Sequence, residues 1–134
     1  LMKQNFEVAT SAGYHHFTPS RTAAEEYRSI CFDAERHQNA FDFLGSYAEE
    51  LPELHRQLST MQTPVLITWG ADDQFVRPSN ADSLHALLPS SELTVFPDAG
   101  HFSHEDADER WLQRLLTFVG ANSPQNHDTR RSER

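Results

Sequence analysis

None of the five glycines in this 134-residue chain has another four residues on, so no Gly-x-(Ser/Asp/Cys)-x-Gly turn is present to hold up a nucleophile. Cysteine occurs once, at Cys31, which excludes an internal disulfide and points to a reducing compartment, the cytoplasm. Lysine is nearly absent: ten of the eleven basic residues are Arg, and the net charge is −9. A chain so short of clustered positive charge is not expected to bind nucleic acid or an anionic membrane. No apolar run approaches the roughly 20 residues that span a bilayer, and no charged-then-apolar leader opens the sequence. Strands are scarce too. Only two stretches read as β-structure, and a two-stranded sheet is marginal by itself, although this length ordinarily makes one domain. With an apolar share of 37% and a first residue of Leu1, the chain reads as the C-terminal part of a larger fold, whose missing N-terminal part is its expected structural partner.

What is there divides into three stretches. Residues 1–60 read as helical after an aperiodic, Gly-centred start. Thr18-Pro19 predicts an N-cap with proline at the first helical position, and Ala23, Tyr27, Ile30 and Cys31 recur at helical steps. A second stripe runs through Ala40, Phe41, Leu44 and Ala48, with Pro52 expected to interrupt it before Leu54, Leu58 and Met61. Residues 61–120 change character. Val65-Leu-Ile-Thr-Trp69 is a continuous apolar, β-branched run typical of a buried parallel strand. Pro78 opens a helix with Ala81, Leu84, Leu87 and Leu88 facing inward, and Leu93-Thr-Val-Phe96 is a second strand. A strand–helix–strand unit is a right-handed crossover, so the carboxyl ends of both strands point one way. Ser103 is expected to cap a last helix with Asp106 three residues on, whose stripe is Leu112, Leu115, Leu116 and Val119. Residues 121–134 are polar and are expected to be a disordered tail.

The two strands each run into a polar loop, Gly70-Ala-Asp-Asp73 and Asp98-Ala-Gly-His101. Adjacent parallel strands lie about 4.8 Å apart, so loops leaving their carboxyl ends can bring a carboxylate to an imidazole nitrogen. The ligand crevice of open α/β sheets lies at that edge. A carboxylate that orients an imidazole, and an imidazole that moves a proton, are two of the three parts of covalent hydrolysis. Each residue also has a plain reading: such an Asp commonly satisfies backbone donors, and a lone His is commonly structural. Their joint placement is the informative feature, with Asp72 competing for the acid.

Pro64-Val-Leu-Ile-Thr-Trp-Gly-Ala-Asp-Asp-Gln-Phe-Val-Arg-Pro78 and Pro97-Asp-Ala-Gly-His-Phe-Ser-His-Glu-Asp106 resemble the last two core strands of the α/β-hydrolase superfamily. The resemblance covers about residues 60–120. It implies an α/β fold and a nucleophile–His–acid triad, with Asp73 as acid and His101 as base. The helical stretch before Pro64 is similar to the cap that many members carry. Within it Phe17-Thr-Pro, Glu26-Tyr27 and Asn39-Ala-Phe-Asp-Phe resemble the epoxide-hydrolase and haloalkane-dehalogenase branch. The implied substrate is a small molecule holding an ester, epoxide, halide or carbon–carbon bond, with no cofactor. The family's nucleophile turn and oxyanion loop precede the cap and are not in this chain, so the isolated segment is expected to be inactive. A non-catalytic segment that completes a fold with a partner chain is the alternative.

Other constellations carry less. His101-x-x-His104-Glu105-Asp106 with Asp72 and Asp73 lacks a recognised metal-ligand spacing, and no metal is expected. Cys31 lies on an apolar stripe and reads as a buried, inert thiol. His15-His16 reads as a solvated loop before it reads as a substrate entrance. Tyr27 and Tyr47 have the type of a cap hydroxyl that donates to substrate, yet packing accounts for both.

Overall fold

The computed structural model describes residues 11–123. Helices α1 (Arg21–Cys31) and α2 (Ala34–Leu58) precede strand β1 (Val65–Gly70), helix α3 (Ser79–Leu87) and strand β2 (Ser91–Phe96). The short helix α4 (Ser103–Asp106) and helix α5 (Asp108–Asn122) follow. The strands are parallel and pair in register from Val65 opposite Ser91 to Gly70 opposite Phe96. β2 therefore begins two residues before the expected Leu93, where the Ser91 hydroxyl donates to the Leu88 carbonyl at 2.9 Å and closes the turn.

Alternation along the strands separates two faces. Ile67 packs with Ala81 and Leu88, and around them gather Leu58, Met61, Val65, Trp69, Leu84 and Leu93, so α3 and the end of α2 cover this face. Phe96 belongs to the other face and packs with Ala99, Ala107 and Trp111. There α5 crosses the strands with polar ties as well as apolar ones. The Trp111 indole N–H donates to Thr68 Oγ1 at 3.1 Å and the Arg114 Nε to Thr94 Oγ1 at 2.9 Å.

Several local expectations need correction. α1 starts later than Thr18-Pro19: Ser20 is the N-cap, its side chain accepting the Ala23 N–H at 3.2 Å. α2 is one helix of 25 residues that runs through Pro52. Proline removes a single rung of the ladder, and the apolar stripe of Leu44, Ala48, Leu51 and Leu58 stays in phase across it, so the helix continues. Cys31 is exposed, not buried. Ser103 caps nothing. It is the first residue of α4, whose N-cap is Phe102 without a side-chain bond, and the expected single helix is divided at Ala107. Ala107 is 2% exposed against Phe96 and Ala99, and its backbone (φ −108°, ψ 20°) departs from helical values to seat it there. α5 reaches Asn122, just inside the expected tail. The rest of that tail, 124–134, lies outside the described residues, as do residues 1–10. Among the described residues no helix is long and apolar enough to cross a membrane.

Candidate active site

The site begins where β1 ends. Past Gly70 the chain turns through Ala71 and Asp72, whose N–H groups donate to the Phe96 and Ala99 carbonyls at 2.9 and 3.0 Å, fastening this loop to the one that follows β2. The two loops meet closely: a Cβ on Gly70 would lie 2.1 Å from the Gly100 carbonyl oxygen, so only glycine allows the approach.

Asp73 is buried, at 9% exposure, and divides its two oxygens between two tasks. Oδ1 accepts the N–H groups of Phe75 and Val76, both at 2.9 Å, which builds the turn leading to α3. The Trp69 indole N–H closes the same turn by donating to the Val76 carbonyl at 3.2 Å. Oδ2 lies 3.0 Å from His101 Nδ1. Asp73 thus satisfies backbone donors with one oxygen and meets an imidazole with the other. Burial alone pushes the Asp73 carboxyl up, but the Val76 N–H, the His101 ring and the Phe75 N–H together outweigh it and hold the group below its ordinary value. An ionised carboxylate only accepts, so the proton between the two groups resides on Nδ1. Nε2 is left with its lone pair free to take a proton.

The His101 side chain is about one-third exposed, at 36%. Its ring meets Phe75 and Phe102 edge-on, each centroid 5.2 Å away, which restricts rotation of the imidazole about the Asp73 bond. Thr68, Trp69, Gly70 and Ser103 line with the pair a cleft of about 190 Å³. Such a cleft admits a small reacting group, and its base presents a free imidazole nitrogen held by a buried anion.

Asp72 is placed elsewhere. Its side chain is half-exposed to solvent and pairs with His15 Nδ1 at 2.7 Å. His15 in turn meets His16 edge to face at 3.8 Å. The His101–Asp106 stretch does not gather as metal ligands: among the described residues no group of three or more His, Cys, Asp or Glu side chains could hold an ion. Its carboxylates are engaged differently. Glu105 accepts the Tyr14 hydroxyl at 3.1 Å and the Tyr27 hydroxyl at 2.9 Å. Burial and then the Glu105 carboxylate push the Tyr14 phenol well above its ordinary value, and for Tyr27 the Glu105 bond is the larger cause of a rise. Tyr47 packs edge-on against Phe43 on α2. Asp106 accepts backbone N–H groups from His15, His16, Phe17 and Gly100. Sequence reasoning assigned neither carboxylate this work, because all their hydrogen-bond partners but Gly100 lie 78 to 91 residues away and leave no local spacing to read.

Known proteins share this arrangement of elements. A 2-hydroxy-6-oxononadienedioate/2-hydroxy-6-oxononatrienedioate hydrolase of Pseudomonas putida is 32% identical over 87 residues, 63% of this chain and 30% of that enzyme. Among solved structures, an esterase of Exiguobacterium antarcticum superposes with a TM-score of 0.70 at 21% identity, covering 89% of this chain and 44% of that one. A lipase-like protein of Acinetobacter baumannii, described as putative in that structure, gives 0.73 at 19% identity, over 89% of this chain and 42% of its own. The chain spans less than half the length of these relatives. The sequence profile of the alpha/beta hydrolase fold matches residues 6–108, most of the chain and both loops of the site, and the protein belongs to that family.

Proposed function

We propose that this chain supplies the acid and the base of a nucleophile–His–acid triad that hydrolyses a small organic substrate. The observation that carries the reading is the bond from His101 Nδ1 to the buried Oδ2 of Asp73 at the cleft. In this reaction a nucleophile outside the chain attacks the substrate while His101 Nε2 accepts its proton. The proton is then given to the leaving group, and a water attacking the covalent intermediate is deprotonated in the same way. Asp73 keeps the imidazole in the productive tautomer and offsets the positive charge it acquires. The names of the relatives, a dienedioate hydrolase and an esterase, support a carbonyl substrate, an ester or a carbon–carbon bond next to a ketone.

The test is kcat in the enzyme assembled with its nucleophile-bearing part. Losing a triad acid strands the imidazole in the wrong tautomer and lowers kcat by about 10⁴. Asp73→Asn is expected to act on that order and His101→Ala at least as strongly. Asp72→Asn, which breaks a half-exposed pair with His15, costs less than about tenfold, or under roughly 1.4 kcal/mol in the barrier. A crippled Asp72→Asn beside an active Asp73→Asn would sink the assignment. The isolated 134 residues are expected to leave nitrophenyl esters, epoxides and haloalkanes at the buffer rate, and turnover abolished by His101→Ala would place a nucleophile within them.

A second reading, a segment that completes a fold with a partner chain, is favoured by the exposed Phe41, Phe43, Leu44, Leu51 and Leu54 of α2. It predicts an associated species in size-exclusion chromatography and no hydrolysis in the assembled complex.

A further inference from the structure

Asp73 fixes the imidazole of His101 from the side-chain end, whereas its backbone is fixed by its neighbours. The N–H of Phe102 donates to the Gly13 carbonyl at 3.2 Å. The N–H of Gly100 donates to Asp106 Oδ2 at 2.8 Å. Gly100 has no room for a side chain on that face, since a Cβ there would lie 2.5 Å from the Gly13 carbonyl oxygen. The segment that presses on it is held by the same carboxylate. Oδ2 of Asp106 also accepts the His15 N–H at 2.9 Å, and Oδ1 accepts those of His16 at 3.1 Å and Phe17 at 2.9 Å. Three consecutive backbone donors from one end of the described chain and one from the base-bearing loop therefore converge on a single side chain. Burial disfavours the charge on Asp106 and these four donors overcompensate, so the carboxyl lies below its ordinary value. Its four described partners are all backbone N–H groups.

Resting on the reading of His101 as the base, we propose that Asp106 is a positioning residue for it: through Gly100 and residues 15–17 its carboxylate sets where the His101 ring meets Asp73. Asparagine in its place would turn an amide N–H₂ toward two backbone donors and open one side of the cradle. Glutamate keeps both acceptor oxygens and the charge on a stem one methylene longer, so it restores the cradle in part.

The experiment is nitrogen-15 NMR of the histidine rings in the full 134-residue chain, which reads the ratio of Nδ1–H to Nε2–H tautomers of neutral His101. Strand amide spectra identify the folded variants. Asp106→Asn is expected to lower that ratio about tenfold, the effect of losing a hydrogen bond to a charged group, and Asp106→Glu is expected to lower it less. A folded Asp106→Asn with the wild-type ratio overturns the proposal. Should that variant not fold, Asp106→Glu decides, because a ratio identical to wild type is then the refuting result. Asp73→Asn separates the two levels of inference. If it leaves the ratio unchanged, the acid–base reading itself is wrong. If it collapses the ratio while Asp106→Asn does not, only the positioning role fails.

Discussion

The segment from Val65 to Ala107 and the helices α1 and α2 are built on opposite terms. The first holds every buried apolar residue among those described, Ile67, Ala81, Leu88, Phe96, Ala99 and Ala107, together with the buried Asp73. The second contains no buried residue at all, and Phe41 and Phe43 on α2 stand at 58% and 62% exposure. The helices meet the strand region through the base of α2, with Leu58 against the Ile67 cluster, and through the Tyr27 bond of α1 to Glu105, while residues 15–17 before them are tied to Asp106. The Asp73–His101 pair thus sits in the part that packs itself. The part before it contributes apolar surface that calls for further cover and is joined to the site by hydrogen bonds.

Paired truncations break or sharpen that contrast most strongly. Ile67→Ala removes a branched side chain from between α3 and the strands, and a cavity of that kind costs about 2–5 kcal/mol. Phe43→Ala removes a larger side chain from an exposed helix face, and its effect is expected within about 0.5 kcal/mol. The measurement is the urea midpoint of each variant at constant slope. Equal losses would mean that α2 is packed against something in solution, in line with an associated species.

The second prediction concerns acid. Asp73 and Asp106 both titrate below the ordinary carboxylate value in the folded protein. A folded-state value lower than the unfolded one contributes stability that is fully present above the unfolded value of about 3.9 and is lost as pH falls through the folded one. The strand region is therefore expected to lose its β-structure progressively below about pH 4. The chain with Asp106→Asn should show a shallower acid dependence and lower stability at neutral pH, read by circular dichroism against urea. An acid limb as steep as the wild type's would remove Asp106 from the contributors.

The strands are legible in the sequence because their signal is local: a short, β-branched apolar run bounded by turn residues favours a strand over a helix. The meeting of Asp73 with His101 follows once both loops leave the same sheet edge, at strand ends paired as Gly70 with Phe96. The continuity of α2 is legible too, in the unbroken phase of its stripe, since Pro52 removes only a single rung. The roles of Glu105, Asp106 and His15 had no such signal. Asp106 looks like the partner of a Ser103 cap at three-residue spacing, and nothing local reveals that its donors are His15, His16 and Phe17. A side chain that satisfies backbone N–H groups from a distant segment is chosen by tertiary geometry, which composition and periodicity do not encode.

The smallest expected effect lies in the tie between the two regions. Tyr27 on α1 donates to Glu105 Oε1 and Tyr14 to Oε2, so one carboxylate holds two phenols. Tyr27→Phe keeps the ring and removes one donor at a half-buried site, and is expected to cost at most about 1 kcal/mol. Its fingerprint is in the pH dependence. Both phenols titrate above their ordinary value in the folded chain, so their contribution is complete below the unfolded value of about 10 and is lost as pH rises through the folded one. The wild type should therefore weaken above about pH 10, with α1 released from the Glu105 carboxylate. Tyr27→Phe should flatten that alkaline limb and leave the acid limb, set by Asp73 and Asp106, where it was. Hydrogen exchange of the α1 amides is the measurement. Faster exchange in α1 with unchanged protection of β1 and β2 would locate the tie between the two regions, whereas loss of strand protection would show that the helical region stabilises the site as a whole.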